Sequence, residues 1–145
     1  MTTARGFAAP GRLELQMLTG KRILVVDDEA GIRELASRAL LAAGCGVVTA
    51  GDGRQALKLM ETNHIDLAII DIVMPEKEGV ETIVELKRRW PDCKIIAISG
   101  GGRVNPDLFL TLAHAFGADI TMKKPLSFAQ LVQTARGLLR ARAAA

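Results

Sequence analysis

Asp27, Asp28 and Glu29 follow directly on the apolar run ILVV at 23–26. Two carboxylates about 4 Å apart repel by about 4 kcal/mol at an effective dielectric near 20, so such crowding calls for a cation. A further acid, Asp71, closes the run IDLAIID at 65–71, Ser99 closes CKIIAIS at 93–99, and Lys124 follows DITMK at 119–123. Three carboxylates on adjacent loops suit a hard cation with oxygen ligands. Mg²⁺ typically takes one or two carboxylates, keeps several waters and leaves a position for a phosphate. A fixed cation and a lysine near one carboxylate suit phosphoryl transfer, in which a protein positions the reactants and neutralises charge on the equatorial oxygens. A carboxylate can itself be the nucleophile and form an acyl phosphate, and no Cys or His is placed to do so instead. Taken singly, an acid after a strand is often a helix N-cap or a turn former. That plainer reading suits Glu29 and Asp52, but it does not account for Asp27, Asp28 and Asp71 together.

The elements that must hold these residues alternate regularly. KRILVV (21–26), CGVVTA (45–50), IDLAIID (65–71), CKIIAIS (93–99) and the weaker DITMK (119–123) are short, apolar and rich in β-branched residues, as expected of strands buried on both faces. Between them, Ile32, Leu35, Ala36, Ala39, Leu40 and Ala43 recur at helical spacing up to Gly44. Ala56, Leu57 and Met60 mark a second helix ending near Asn63, and Val80, Ile83, Val84 and Trp90 a third, stopped by Pro91. A helix is expected from about Asp107 to Phe116, and a last one after Pro125 carries Leu131, Ala135, Leu138 and Leu139. Five βα units in succession predict an α/β fold, with a parallel sheet covered by helices on both faces. Right-handed crossovers make it doubly wound. Such sheets bind ligands outside the carboxyl ends of their strands, which is where the polar residues fall.

Length and charge bound the rest. With 145 residues, 49% of them hydrophobic, the chain suits one domain with a single core, and aromatic residues at 3% make that core aliphatic. The net charge of +3 belongs to the ends: Arg5 and Arg12 against Glu14 at the start, and Arg136, Arg140 and Arg142 without an acid after residue 126. A continuous basic stripe with interleaved aromatics is lacking, so no nucleic-acid partner is expected. Cys45 and Cys93 have no metal-ligand spacing and are expected as reduced, partly buried thiols. The start MTTARGFAAPGRLELQMLTG has no continuous apolar region of signal-peptide type, and no segment approaches 18 apolar residues, so a cytoplasmic protein without membrane contact is expected. His64 and His114 are expected at the surface or at helix edges, and Trp90 as a cap on the third helix.

In combination, VVDDE, DIVMPEKEG, the strand-terminal Ser99 and KKP resemble the receiver domain of bacterial two-component response regulators over residues 21 to about 142. The resemblance implies a (βα)5 flavodoxin-like fold with strand order 2-1-3-4-5. It implies that Asp71 is the phosphoacceptor for the phosphohistidine of a histidine kinase or histidine phosphotransfer protein. Asp28 would bind Mg²⁺ directly and Asp27 mainly through water, with Asp71 and the backbone carbonyl of Val73 completing the protein's ligands. Ser99 and Lys124 would each meet a phosphoryl oxygen. Lys124 precedes Pro125 as in the family motif, strand alternation should aim Lys123 elsewhere, and the Lys124–Pro125 bond is a cis candidate. Output to a protein target would run through the fifth strand and the last two helices.

Two features depart from that pattern. Thr121 stands at the switch position where the family usually has Tyr or Phe, so the usual aromatic readout is missing and the signal would pass through the loop after Ser99. That loop, GGGRVNP at 100–106, is a few residues longer than common. It is not a phosphate-binding P-loop, because no GK[ST] follows. A flexible connection is its simpler reading, and a mobile lid that switches by ordering is its functional one. Residues 1–20 are expected to be a disordered extension, 21–142 the receiver, with no output domain. A stand-alone switch is the leading expectation, not an enzyme beyond its own phosphorylation and dephosphorylation. A phosphorelay intermediate and a phosphate sink share its residues. A Mg²⁺-dependent phosphohydrolase with an aspartyl-phosphate intermediate is the remote alternative, disfavoured because DDEAG stands where DxDxT would be needed.

Overall fold

Each apolar run becomes a strand, shorter than its run by one or two residues at the amino end. The computed structural model describes residues 18–72, 78–99, 111 and 113–144. The strands are β1 (Arg22–Val26), β2 (Gly46–Ala50), β3 (Leu67–Asp71), β4 (Lys94–Ser99) and β5 (Ile120–Lys123). The helices are α1 (Ala30–Ala42), α2 (Gly53–Thr62), α3 (Glu78–Arg89) and α4 (Phe128–Ala144), with helical residues also at 111 and 113–115. The strands form one parallel sheet in the order β2-β1-β3-β4-β5. This is the expected doubly wound, flavodoxin-like α/β fold. The amino-terminal part of the expected fourth helix lies outside the described residues.

Both faces of the sheet are covered, which is why its strands are apolar at every position rather than at alternate ones. On one face Leu24, Val26, Ala68, Ile70, Ile95 and Ala97 pack against Ala56 and Met60 of α2 and Ile83 and Leu86 of α3. On the other, Ile23, Val25, Leu67, Ile69, Ile96 and Ile98 meet Ala36 and Leu40 of α1 and Leu131, Ala135 and Leu139 of α4. Fully burying one such Ile or Leu contributes about 1.5–3 kcal/mol. The chain leaves β1 toward β2, then crosses back over β1 to reach β3. Under the right-handed crossover rule, that reversal puts α1 and α2 on opposite faces. The reversal point lies between the carboxyl ends of β1 and β3.

Local signals set the helix ends. Asp52 is the N-cap of α2, its side chain accepting the Gln55 N–H at 2.8 Å. Gly44, at φ +99, takes the left-handed turn after α1. Trp90 follows α3, donates its N–H to the Leu86 carbonyl at 2.8 Å, and lies under the Arg89 guanidinium, 4.4 Å from the ring centroid. Cys45 and Cys93 are both buried, more fully than expected. Leu18 is buried in the α1/α4 core, and its carbonyl accepts the Lys21 N–H at 3.0 Å. Residues 1–17 lie outside the described residues.

Candidate functional site

The carboxyl ends of β1 and β3 deliver their acids to one place. Asp27 comes directly after β1; its N–H donates to the Ala50 carbonyl at 3.1 Å, continuing the ladder for one more step. Its Oδ1 accepts the Glu29 N–H at 2.9 Å. Asp71 is the last residue of β3, and the two side chains are only 2% and 3% exposed. Asp28 is exposed, yet Asp27, Asp28 and Asp71 each offer an oxygen, and these oxygens lie within 4.8 Å of one another. A strand that ends buried must carry its last side chain into the crevice. That geometry makes two of the three acids buried and leaves the third open to solvent.

Lys124 reaches this cluster from the far side of the sheet. Its Nζ lies 3.1 Å from Asp71 Oδ2, 3.4 Å from Asp27 Oδ2 and 3.8 Å from Glu29 Oε1. Burial works against its positive charge, but the Asp71 and Asp27 carboxylates outweigh burial and hold its pKa above the ordinary 10.5. Burial pushes the Asp27 carboxyl above 3.8, and the nearby Asp71 charge pushes it the same way. The Glu29 N–H and Lys124 offset only part of this. Lys124 donates its N–H to the Ser99 carbonyl at 2.7 Å and is joined to Pro125 by a cis bond, while Lys123 is exposed.

Ser99 ends β4, one residue beyond Ile98, which pairs with Asp71. It is fully buried, and its hydroxyl has no hydrogen-bond partner among the described residues. Leaving a buried hydroxyl unmatched costs about 1–3 kcal/mol, so the position suits a group that supplies the partner. Thr121 is a half-buried residue of β5, opposite Ala97. Val73 and the GGGRVNP loop lie outside the described residues.

Three features were missed in the sequence. A Cβ on Gly79 would collide with the Ile72 Cα and stand 2.6 Å from the Asp71 carbonyl oxygen, so α3 begins pressed against the backbone of the acid. The glycine that closes DIVMPEKEG was the available signal. Glu29 occupies the N-cap of α1, but its side chain makes no cap bond and lies toward Lys124 instead. At the opposite end of the sheet, Asp66 Oδ2 accepts the Arg22 N–H at 3.0 Å and Asp119 Oδ2 accepts the Ile95 N–H at 2.8 Å. These two acids close strand ends rather than serve the rim. His64 contacts Asp66 Oδ1 at 3.0 Å with its own side chain exposed, and His114 is exposed.

A doubly wound parallel sheet with an acidic pocket and a lysine at its switch point defines a receiver-type α/β domain. A family model for the response regulator receiver domain matches residues 23–136, and the chain belongs to that family. It is 38% identical over 120 residues to the probable transcriptional regulator ycf27 of Cyanophora paradoxa, covering 83% of this chain and 48% of that one. With the response regulator MprA of Mycolicibacterium vanbaalenii it shares 34% over 119 residues, 82% of this chain and 50% of the other. The chain thus spans about half the length of these curated relatives. Among solved structures, the CheY-like receiver domain protein of Methanospirillum hungatei superposes with a TM-score of 0.75 at 28% identity, over 83% of this chain and 94% of that one. The receiver domain of NtrX from Brucella abortus gives 0.74 at 30%, over 81% and 98%.

Receiver domains partner histidine kinases and are not conventional enzymes, and an aspartate cluster of this kind is typical of their Mg²⁺ site. Among the described residues, no helix is long and apolar enough to cross a membrane.

Proposed function

We propose that this chain is a phosphorylation switch in which Asp71 takes a phosphoryl group from the phosphohistidine of a histidine kinase or phosphotransfer protein. An Asp71 carboxylate oxygen attacks phosphorus, the P–N bond breaks, and the imidazole nitrogen keeps the electron pair. Lys124, charged at neutral pH, and the Ser99 hydroxyl donate to phosphoryl oxygens as charge builds there. The observation that carries this reading is Lys124 Nζ bridging Asp71 and Asp27 in a buried, otherwise acidic rim.

The donor set fits a hard cation, being carboxylate oxygens within 4.8 Å of one another. Asp28, Asp71 and the Val73 carbonyl would hold Mg²⁺ directly and Asp27 mainly through water. Bound there, the ion neutralises charge on the phosphoryl oxygens. The family resemblance supports output to a protein target through β5 and the last two helices, in a cytoplasmic setting, with Thr121 leaving no aromatic readout. The expected receiver over residues 21–142 is part of the same proposal.

The test is intact mass after incubation with Mg²⁺ and acetyl phosphate, beside Asp71→Asn. A gain of one phosphoryl group in the unsubstituted chain alone supports the assignment. A persistent gain in Asp71→Asn overturns it, as does no gain from either a small phosphodonor or a phosphorylated histidine kinase.

A further inference from the structure

Arg33 lies in the first turn of α1, where the helix dipole favours acids and disfavours a cation. Its guanidinium Nη1 donates to the backbone carbonyl of Asp27 at 2.7 Å. That carbonyl belongs to the peptide joining Asp27 to Asp28. Asp27 is held in three further ways, by its N–H on Ala50, by its Oδ1 on Glu29 and by Lys124 at Oδ2. The Asp28 side chain is exposed, so its direction depends on the peptide that Arg33 grips. The grip has a built seat: a Cβ on Gly51 would come 3.4 Å from Nη1, and the Gly51 N–H is fixed on Gln55 Oε1 at 2.7 Å.

We propose that Arg33 is a positioning residue for the metal acids, orienting Asp28 through the Asp27–Asp28 peptide from a seat that Gly51 leaves open. The inference rests on the Mg²⁺ site proposed above. Arg33 exerts two effects of opposite sign on a bound cation. Its positive charge repels Mg²⁺, so if charge dominated, removing it would tighten binding. Its hydrogen bond prearranges a ligand, so if positioning dominates, removing it weakens binding. A partner that only orients a metal ligand is worth about 10–100-fold in affinity. Arg33 is only half-buried, and its guanidinium meets a backbone carbonyl rather than a metal-binding oxygen, so solvent and salt still damp part of that repulsion. Positioning therefore wins.

The experiment is calorimetric titration of Mg²⁺ into the unphosphorylated chain, with circular dichroism melts to verify folding. Arg33→Met is expected to weaken Mg²⁺ binding about tenfold, the low end for such a partner. Arg33→Lys, which keeps the charge and a donor on a stem one atom shorter, should bind more tightly than Arg33→Met and less tightly than the unsubstituted chain. Gly51→Leu, which retains Arg33 but fills its seat, should weaken binding in the same direction, and its effect should not add to that of Arg33→Met. At saturating Mg²⁺ the phosphorylation rate of Arg33→Met should approach that of the unsubstituted chain. Unchanged or tighter binding in folded Arg33→Met overturns the inference while leaving the metal site standing. If Arg33→Met does not fold, unchanged binding in Gly51→Leu overturns it equally. Failure of the unsubstituted chain to bind Mg²⁺ overturns the proposed site and this inference with it.

Discussion

Gly79→Ala should destabilise the domain although it replaces a glycine inside a helix. In an ordinary helix interior that substitution stabilises by about 0.5–1 kcal/mol, through lower backbone entropy in the unfolded chain. Here the new Cβ would overlap the Ile72 Cα, stand 2.6 Å from the Asp71 carbonyl oxygen and 3.0 Å from the Ile72 carbonyl carbon. All three are backbone atoms at the end of β3, so no rotamer change relieves the contact and α3 must retreat from the sheet. Overpacking of this sort costs about 1–3 kcal/mol. Taking the upper end, because nothing flexible can yield, and subtracting the helix gain leaves a net loss of about 2 kcal/mol. For a domain of this size that lowers the melting temperature by about 8 °C. Gly137→Ala on α4 is the matched control, since its Cβ would meet nothing within 4 Å. It should gain about 0.5–1 kcal/mol. Urea unfolding followed by far-ultraviolet circular dichroism measures both. If Gly79→Ala is as stable as the unsubstituted chain while Gly137→Ala gains as expected, the close approach of α3 to the acid-bearing strand is refuted.

Ser99→Ala should leave stability unchanged or raise it by about 1 kcal/mol, because it removes a buried hydroxyl without a partner among the described residues. It should also slow phosphorylation about a hundredfold, as loss of one donor to the developing charge would; a clear loss of stability in urea would show that the hydroxyl has a structural partner. Asp27 gives a pH prediction. Its folded pKa is raised above 3.8, so the folded state holds the proton more tightly, and its contribution to stability is greatest in acid and falls as pH rises through the raised pKa. Urea midpoints between pH 4 and 7 without Mg²⁺ should therefore fall relative to Asp27→Asn, and Mg²⁺ at pH 7 should restore the unsubstituted chain. An identical pH profile for the two proteins would refute this account of the pocket.

Several of these effects were readable in the linear chain, and the reason is locality. The runs ILVV, LAIID and KIIAIS are apolar at every position because both sheet faces are covered, so strand identity and parallel pairing follow from a few neighbouring residues. An acid, serine or lysine at the end of such a run must emerge at the carboxyl rim, which made Asp27, Asp71, Ser99 and Lys124 visible before any fold was known. Alternation also separated Lys124 from Lys123, since neighbours on a strand face opposite ways. Gly44 and Asp52 act within their own turns and were legible for the same reason.

What the chain alone could not decide are contacts between elements brought together only by packing. Lys124 meets Asp27 across 97 positions, a contact that helps raise the Lys124 pKa and offsets part of the burial-driven rise at Asp27. Gly79 matters because α3 lands on the end of β3, and Arg33 because β2 leaves Gly51 beneath it. Asp66 and Asp119 look like the rim acids by residue type, yet they sit at the opposite end of the sheet and accept N–H groups of neighbouring strands. Residue type and periodicity determine which elements form and which ends carry polar groups. Distance, burial and competition for hydrogen bonds arise only when the sheet has twisted and its helices have settled on it, because each depends on atoms far away along the chain.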